Sequence, residues 1–333
     1  MAVDCSERDK LDLSLHLLRA SVVNWYLVVV AGTIVNLVTV WCVVRCPKTK
    51  PPVQLLLLTV FLSTLAVCLI TGPLRAEILR AELACESHRI TFHFYVVVMV
   101  VYSILAQVER ISITALAVVR AVAVWSPQRH HIGMKEAVAI VFGVVVYCTL
   151  TGVCVLGFRL VGWVTEERMV RAFTIVYFLL NTTIPILVTA SSYFTILLAV
   201  LRNKRRLERH GDAGGGAAGG GGGVMTQATK ALLAISVSNL AFGLPHGIFH
   251  LIKGTSHTAF LLVHMFFYHH FIVDPLVFLW FNESHRNKVK AGIERITQAS
   301  TAPMKGDLEK GSPDDLIEIA PPEMLKRVRD NGV

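Results

Sequence analysis

Charge is scarce in this chain. Of its 333 residues only 17% are Asp, Glu, Lys or Arg, while 54% are hydrophobic and the mean hydropathy is +0.58. An ordinary soluble domain is nearer one quarter charged, so a water-facing globule is excluded as the main form. Catalytic signatures are missing too. There is no HExxH helix and no recognisable nucleophile–base pair, so nothing points to an enzyme. The glycine tract at 214–223 lacks GK[ST] and a flanking strand. It reads as a flexible linker, not a phosphate-cradling loop. Neither an inverted repeat nor paired broken helices argue for a transporter. The N-terminus lacks the basic start and short apolar core of a cleaved signal peptide, and the first helix is expected to act as the signal anchor.

What is present in abundance is apolar sequence in long blocks. About 20 such residues cross the hydrocarbon core as a helix. Blocks of that length occur at 22–44, 53–74, 91–119, 136–158, 172–200, 231–252 and 258–281. The expected fold is therefore an all-α membrane protein with a seven-transmembrane helix bundle at 22–281. Around it the sequence predicts an extracellular N-terminus at 1–21, a Gly-rich third inner loop at 202–229 and a short amphipathic helix on the membrane surface at 282–298. Residues 299–333, rich in Pro and charge, are expected to be a disordered cytoplasmic tail. The net charge of +9 sits mainly at membrane edges and does not read as a nucleic-acid footprint. Lys and Arg are denser in the segments that face the cytosol when the N-terminus is outside. The expected setting is the plasma membrane, multi-pass, with the lipid bilayer as a partner, the N-terminus outside and the C-terminus cytoplasmic.

Ionisable residues inside a bilayer are costly and are functional candidates by default. Glu109 and Arg110 lie in helix three, about ten residues before Arg120, with Ser126-Pro127 beyond it. The bland alternative for Glu109 and Arg110 is an internally neutralised structural pair. Asn36 in helix one and Asp274 in helix seven each need a polar partner, because lipid offers none. Pro185 and Pro245 free carbonyls in helices five and six. His246 and His250 are four apart on one helical face, as are His264 and Tyr268. Histidines can sense protons or simply line a wet cavity. Zinc needs three or four converging ligands, which spacing alone does not show, so neither a metal nor a cofactor is assigned. Of the seven cysteines, Cys42, Cys68, Cys148 and Cys154 fall in apolar helices. Only Cys5 and Cys85 fall clearly outside, where a disulfide between them could persist.

Together these residues resemble a rhodopsin-like (class A) G-protein-coupled receptor over roughly residues 22–298. Asn36 matches the family's helix-one asparagine, Arg120 the arginine that ends helix three, and Pro127 the proline of the second inner loop. Pro185, Tyr193 and Pro245 match the residues of helices five and six, and Asp274-Pro275 the motif of helix seven, here ending in Phe278 instead of tyrosine. The departures are equally specific. Val119 replaces the acidic neighbour of the arginine, Ser63 or Thr64 replaces the helix-two aspartate, and Gly243 the helix-six tryptophan. Helix four lacks its tryptophan, and the cysteine pair of helix three and the second outer loop is missing.

The resemblance implies a divergent receptor that couples an extracellular ligand to a heterotrimeric G protein, with arrestin as a further partner. Helix six would pivot at Pro245, and Arg120 and Tyr193 would line the opened inner cleft. Tyr102, His246, His250, His264 and Tyr268 would face the ligand cavity. Tyr102 stands where amine receptors place an aspartate and Tyr268 where opsins place the retinal lysine, which argues against both ligands. A peptide, a small anionic molecule or a proton remains. Glu109 and Asp274 would border one pocket and stand in for the missing helix-two carboxylate, with Asn36 nearby and Arg110 as counter-ion. The alternatives are a non-signalling decoy receptor, favoured by Val119, and an ion or proton transporter.

Overall fold

The computed structural model describes residues 12–45, 49–125, 132–160, 167–211, 227–252 and 256–301. Among the described residues seven helices are long and apolar enough to cross a membrane: Leu15–Val44, Pro51–Leu83, Phe92–Trp125, Met134–Gly157, Arg168–Arg202, Thr229–Leu251 and His257–Phe281. They form an all-α bundle and are called spans one to seven below. A further helix, Glu283–Thr301, follows span seven. The bundle's outer surface is apolar. Val23, Phe142 and Trp280 are 68–70% exposed, which only a lipid environment makes cheap.

Helix ends lie beyond the hydropathy blocks. Hydropathy reports where hydrocarbon starts, whereas a helix ends where its packing and caps end. The first helix begins at Asp12 and not at 22, because Leu18, Ser21 and Val22 are buried against the bundle. The fifth continues to Gly211 through the basic start of the inner loop. Span two does not end at Gly72-Pro73. A π-helical turn at Val67–Thr71 is followed by a new α-segment, Gly72–Leu83, with Pro73 in its first turn. A missing N–H costs little there, and the wider turn accommodates the ring. Span five repeats the device, with a π-turn at Leu179–Thr183 ahead of Ile184-Pro185. One consequence is that Arg75, which falls just beyond the hydropathy block 53–74, lies within the bundle at 6% exposure.

Span two closes in a left-handed turn. Cys85 has φ 59°, and the N–H groups of Glu86 and Cys85 donate to the carbonyls of Ala81 (2.8 Å) and Glu82 (3.2 Å). Glycine usually fills this position, and a side chain there costs about 1–2 kcal/mol. Cys85 is disulfide-bonded. Cys5, the other half of the expected pair, lies outside the described residues.

Span three is central, packing against spans two, four, five and six, while span one packs against two and seven. Two large apolar clusters fill most of the interior, beside a smaller one of Val108, Val144 and Cys148. One gathers Trp25, Val28, Cys68, Tyr102, Phe267, Tyr268 and Phe271. The other gathers Val43, Phe61, Leu116, Tyr193, Ile196, Ile235 and Phe278. By position along the spans, a buried polar layer separates them: Asn36, Glu109, Ser112, His270 and Asp274.

Candidate functional site

The polar layer is assembled around prolines. A proline at position i leaves the carbonyl at i−4 without its helical donor. Pro275 does this to Phe271, and Asn36 Nδ2 donates to that carbonyl (2.9 Å) and to its own Gly32 carbonyl (2.8 Å). Pro185 does it to Asn181, whose carbonyl accepts from Arg110 Nη1 (3.2 Å). The same Arg110 nitrogen donates to Thr182 Oγ1 (3.0 Å). Thr114 Oγ1 lies 3.2 Å from the Pro185 carbonyl and accepts from Thr189 Oγ1 (2.9 Å). The donors that the kinks require thus come from neighbouring spans, and each ties two spans together.

Arg110 therefore hydrogen-bonds to span five. The group facing Glu109 is His270, whose Nε2 stands 3.5 Å from Glu109 Oε2. His270 Nδ1 donates to the Phe267 carbonyl (2.5 Å), which aims Nε2 at the carboxyl. An attractive contact then needs one proton shared between Nε2 and Oε2, on either partner. Four residues on, Asp274 Oδ2 accepts from Asn239 Nδ2 of span six (2.7 Å). Asn36 Oδ1, Ser112 Oγ, Asp274 Oδ1 and Glu109 Oε1 are buried without a hydrogen-bond partner, and Glu109 Oε2 has only the long contact with His270. An all-oxygen set of this kind is satisfied by ordered water or a hard cation. Ser63 and Thr64, at the level of the absent helix-two carboxylate, donate to their own helix at the Val60 carbonyl.

Of the expected ligand residues, Tyr102 and Tyr268 are packed against Trp25, with ring centroids 6.3 and 4.1 Å away. Arg75 Nη2 donates to the Tyr268 hydroxyl (3.4 Å). Among the described residues no carboxylate lies within ion-pair distance of Arg75. His246, His250 and His264 form a separate group across spans six and seven, with the Nε2 of His250 3.2 Å from that of His246 and 3.3 Å from that of His264. A cavity of about 240 Å³ opens between spans three, five and six, lined by Arg110, Thr189, Tyr193, Ser236 and Asn239 among others.

Towards the other end of span three, Arg120 is within electrostatic reach of Tyr193 and makes no ion pair among the described residues. Its Nε is buried and unpartnered. The Tyr193 hydroxyl in turn meets Ser236 of span six. Phe278 is buried against Phe61 at 5.0 Å. Pro245 lies inside the helix of span six, and Pro127 lies outside the described residues.

Two residues escape sequence reasoning. His270 is marked only by its four-residue spacing from Asp274 on one helical face. Arg75 is hidden by Gly72-Pro73, which reads as a helix end. Set against known families, the chain matches the model described as 7 transmembrane receptor (rhodopsin family) over residues 35–278, well over half its length. No curated protein matches it at a significant level.

Proposed function

The chain belongs to the rhodopsin family of seven-transmembrane receptors, signal transducers and not enzymes, and on that premise we propose that it carries an extracellular, anionic signal to a heterotrimeric G protein. The N-terminus is outside and the C-terminus cytoplasmic, in keeping with the Lys/Arg bias. The inner cleft is formed by Arg120 and Tyr193, and ligand binding shifts a two-state equilibrium in which span six pivots at Pro245. Glu109 and Asp274, on spans three and seven, connect the cluster around Trp25 and Tyr268 to that cleft through His270 and Asn239. The observation that supports this reading is the setting of Arg120, whose Nε is buried without a partner. The Arg120 guanidinium is within electrostatic reach of Tyr193 and has no acidic latch among the described residues. An unlatched arginine leaves the active form readily populated.

The anionic character of the signal is supported by Arg75. This cation is buried beside Tyr268 and lacks a carboxylate partner among the described residues. A buried guanidinium that feels Glu82 only through space, with no ion pair, is costly, and an anionic ligand would supply a close counter-charge.

The test is guanine-nucleotide exchange on purified Gα subunits by the full chain in nanodiscs. Wild-type protein should raise exchange above that of empty nanodiscs without added ligand. Arg120→Ala should lower that increment at least tenfold, and Glu109→Gln should alter it at equal receptor amount. Exchange indistinguishable from empty nanodiscs with every Gα class would instead favour the decoy receptor, the reading that Val119 supports.

A further inference from the structure

Three histidines converge where spans six and seven meet. His246 and His250 come from successive turns of span six, and His264 faces them from span seven. Their ligating nitrogens all lie within 4.8 Å of one another. Two of the three edges of this triangle are 3.2 and 3.3 Å, both measured between Nε2 atoms. A tetrahedral Zn²⁺ with Zn–N bonds of about 2.0–2.1 Å requires N···N edges of about 3.3–3.4 Å. Two edges therefore already have the length that a shared zinc imposes, and the third is no longer than 4.8 Å.

Hydrogen bonding among the three rings does not account for this arrangement. His264 Nδ1 donates to the Phe260 carbonyl (2.7 Å), so in the neutral ring Nε2 carries the lone pair. His250 Nε2 faces that lone pair and His246 Nε2 at once. If it holds a proton, the proton serves one neighbour well and not both. If it holds a lone pair, it opposes the lone pair of His264. His246 Nδ1 is buried and has no partner. A cation accepting all three Nε2 lone pairs resolves the conflict.

The surroundings are those of a supported metal site. The Phe260 carbonyl orients His264 in the way that outer partners orient metal-bound imidazoles. Phe178 stacks on His250 at 4.5 Å and Phe267 on His246 at 3.9 Å, which limits rotation of both rings. We propose that His246, His250 and His264 form a three-histidine binding site for Zn²⁺, with the fourth coordination position open to water or an external anion. No side-chain carboxylate or thiolate among the described residues joins the group to fill that position. Zinc bound here ties span six, one residue beyond Pro245, to span seven. The site does not depend on G-protein coupling, and its test is read from the metal.

The experiment is equilibrium competition for Zn²⁺ between the purified full chain, in detergent, and a chromophoric zinc indicator. Wild type should bind one Zn²⁺ per chain. His250→Gln should weaken binding at least tenfold, while His93→Gln and His269→Gln should leave it unchanged. Because a core substitution can unfold the bundle, His264→Cys serves as the conservative variant. It should retain stoichiometric binding and, with Co²⁺ as the probe, add the thiolate-to-cobalt charge-transfer band that wild type lacks. Binding that is equal in wild type, His250→Gln and the triple glutamine variant would overturn the proposal. So would a Co²⁺ spectrum identical in wild type and a folded His264→Cys.

Discussion

Asn36 shows how a single side chain can complete a kinked helix elsewhere in the bundle. Its amide supplies the donor that Pro275 withholds from the Phe271 carbonyl. Asn36→Leu should therefore lower stability by about 1–3 kcal/mol, the cost of a buried unmatched carbonyl. The cause is separable in a double-mutant cycle. Pro275→Ala restores an N–H to position 275, so in that background Asn36→Leu should cost at least about 1 kcal/mol less. Denaturation midpoints of the four purified proteins provide the cycle, and strict additivity would refute the pairing of cause and effect. Arg110 follows the same logic at Pro185. Its presence beside Glu109 in the sequence suggests an ion pair, but the kinked span five claims its donors. Neighbours in a helix sequence point some 100° apart, and which neighbour each one meets is set by the bundle.

At the scale of elements, helix approach is set by glycines whose missing side chains cannot be distinguished in the sequence. A Cβ on Gly152 of span four would lie 2.3 Å from Ile104 Cγ1 of span three, whereas one on Gly143 would meet nothing within 4 Å. Gly152→Ala should destabilise the bundle by about 1–3 kcal/mol through overpacking, with partial rescue by Ile104→Val. Gly143→Ala should be neutral or stabilise by up to about 1 kcal/mol, from helix propensity alone. Thermal midpoints in one detergent compare the two, and equal losses at both positions would contradict the close approach of spans three and four. The π-turns belong to this scale as well. Pro73 and Pro185 look alike in sequence to helix-breaking prolines, yet each follows a widened turn that lets its span continue.

For the whole molecule, the orientation in the membrane decides which end receives the signal. A tag after Val333 should be reached by antibody only in permeabilised cells, and a tag before Met1 in intact ones. With that orientation Cys85 faces an oxidising compartment, and a non-reducing peptide map should join the Cys5 and Cys85 peptides. Recovery of both as free thiols would exclude the bond. Such a link would close the chain from its N-terminus to the end of span two, holding span one against the bundle where the ligand is proposed to enter.

The amino-acid sequence alone determined the number of spans, their order and the presence of charge in the interior, because lipid admits only self-satisfied helices and penalises every stray ion. It also carried Asn36, Arg120, Asp274 and Pro275, residues on which the resemblance to the family was read. It could not decide partnerships. That Glu109 faces His270, that Arg75 is inside, and that three histidines from two spans share one point all depend on the rotation and kinking of each helix. Those are settled by glycine contacts and proline-freed carbonyls between spans distant in sequence, so only the packed bundle reveals them.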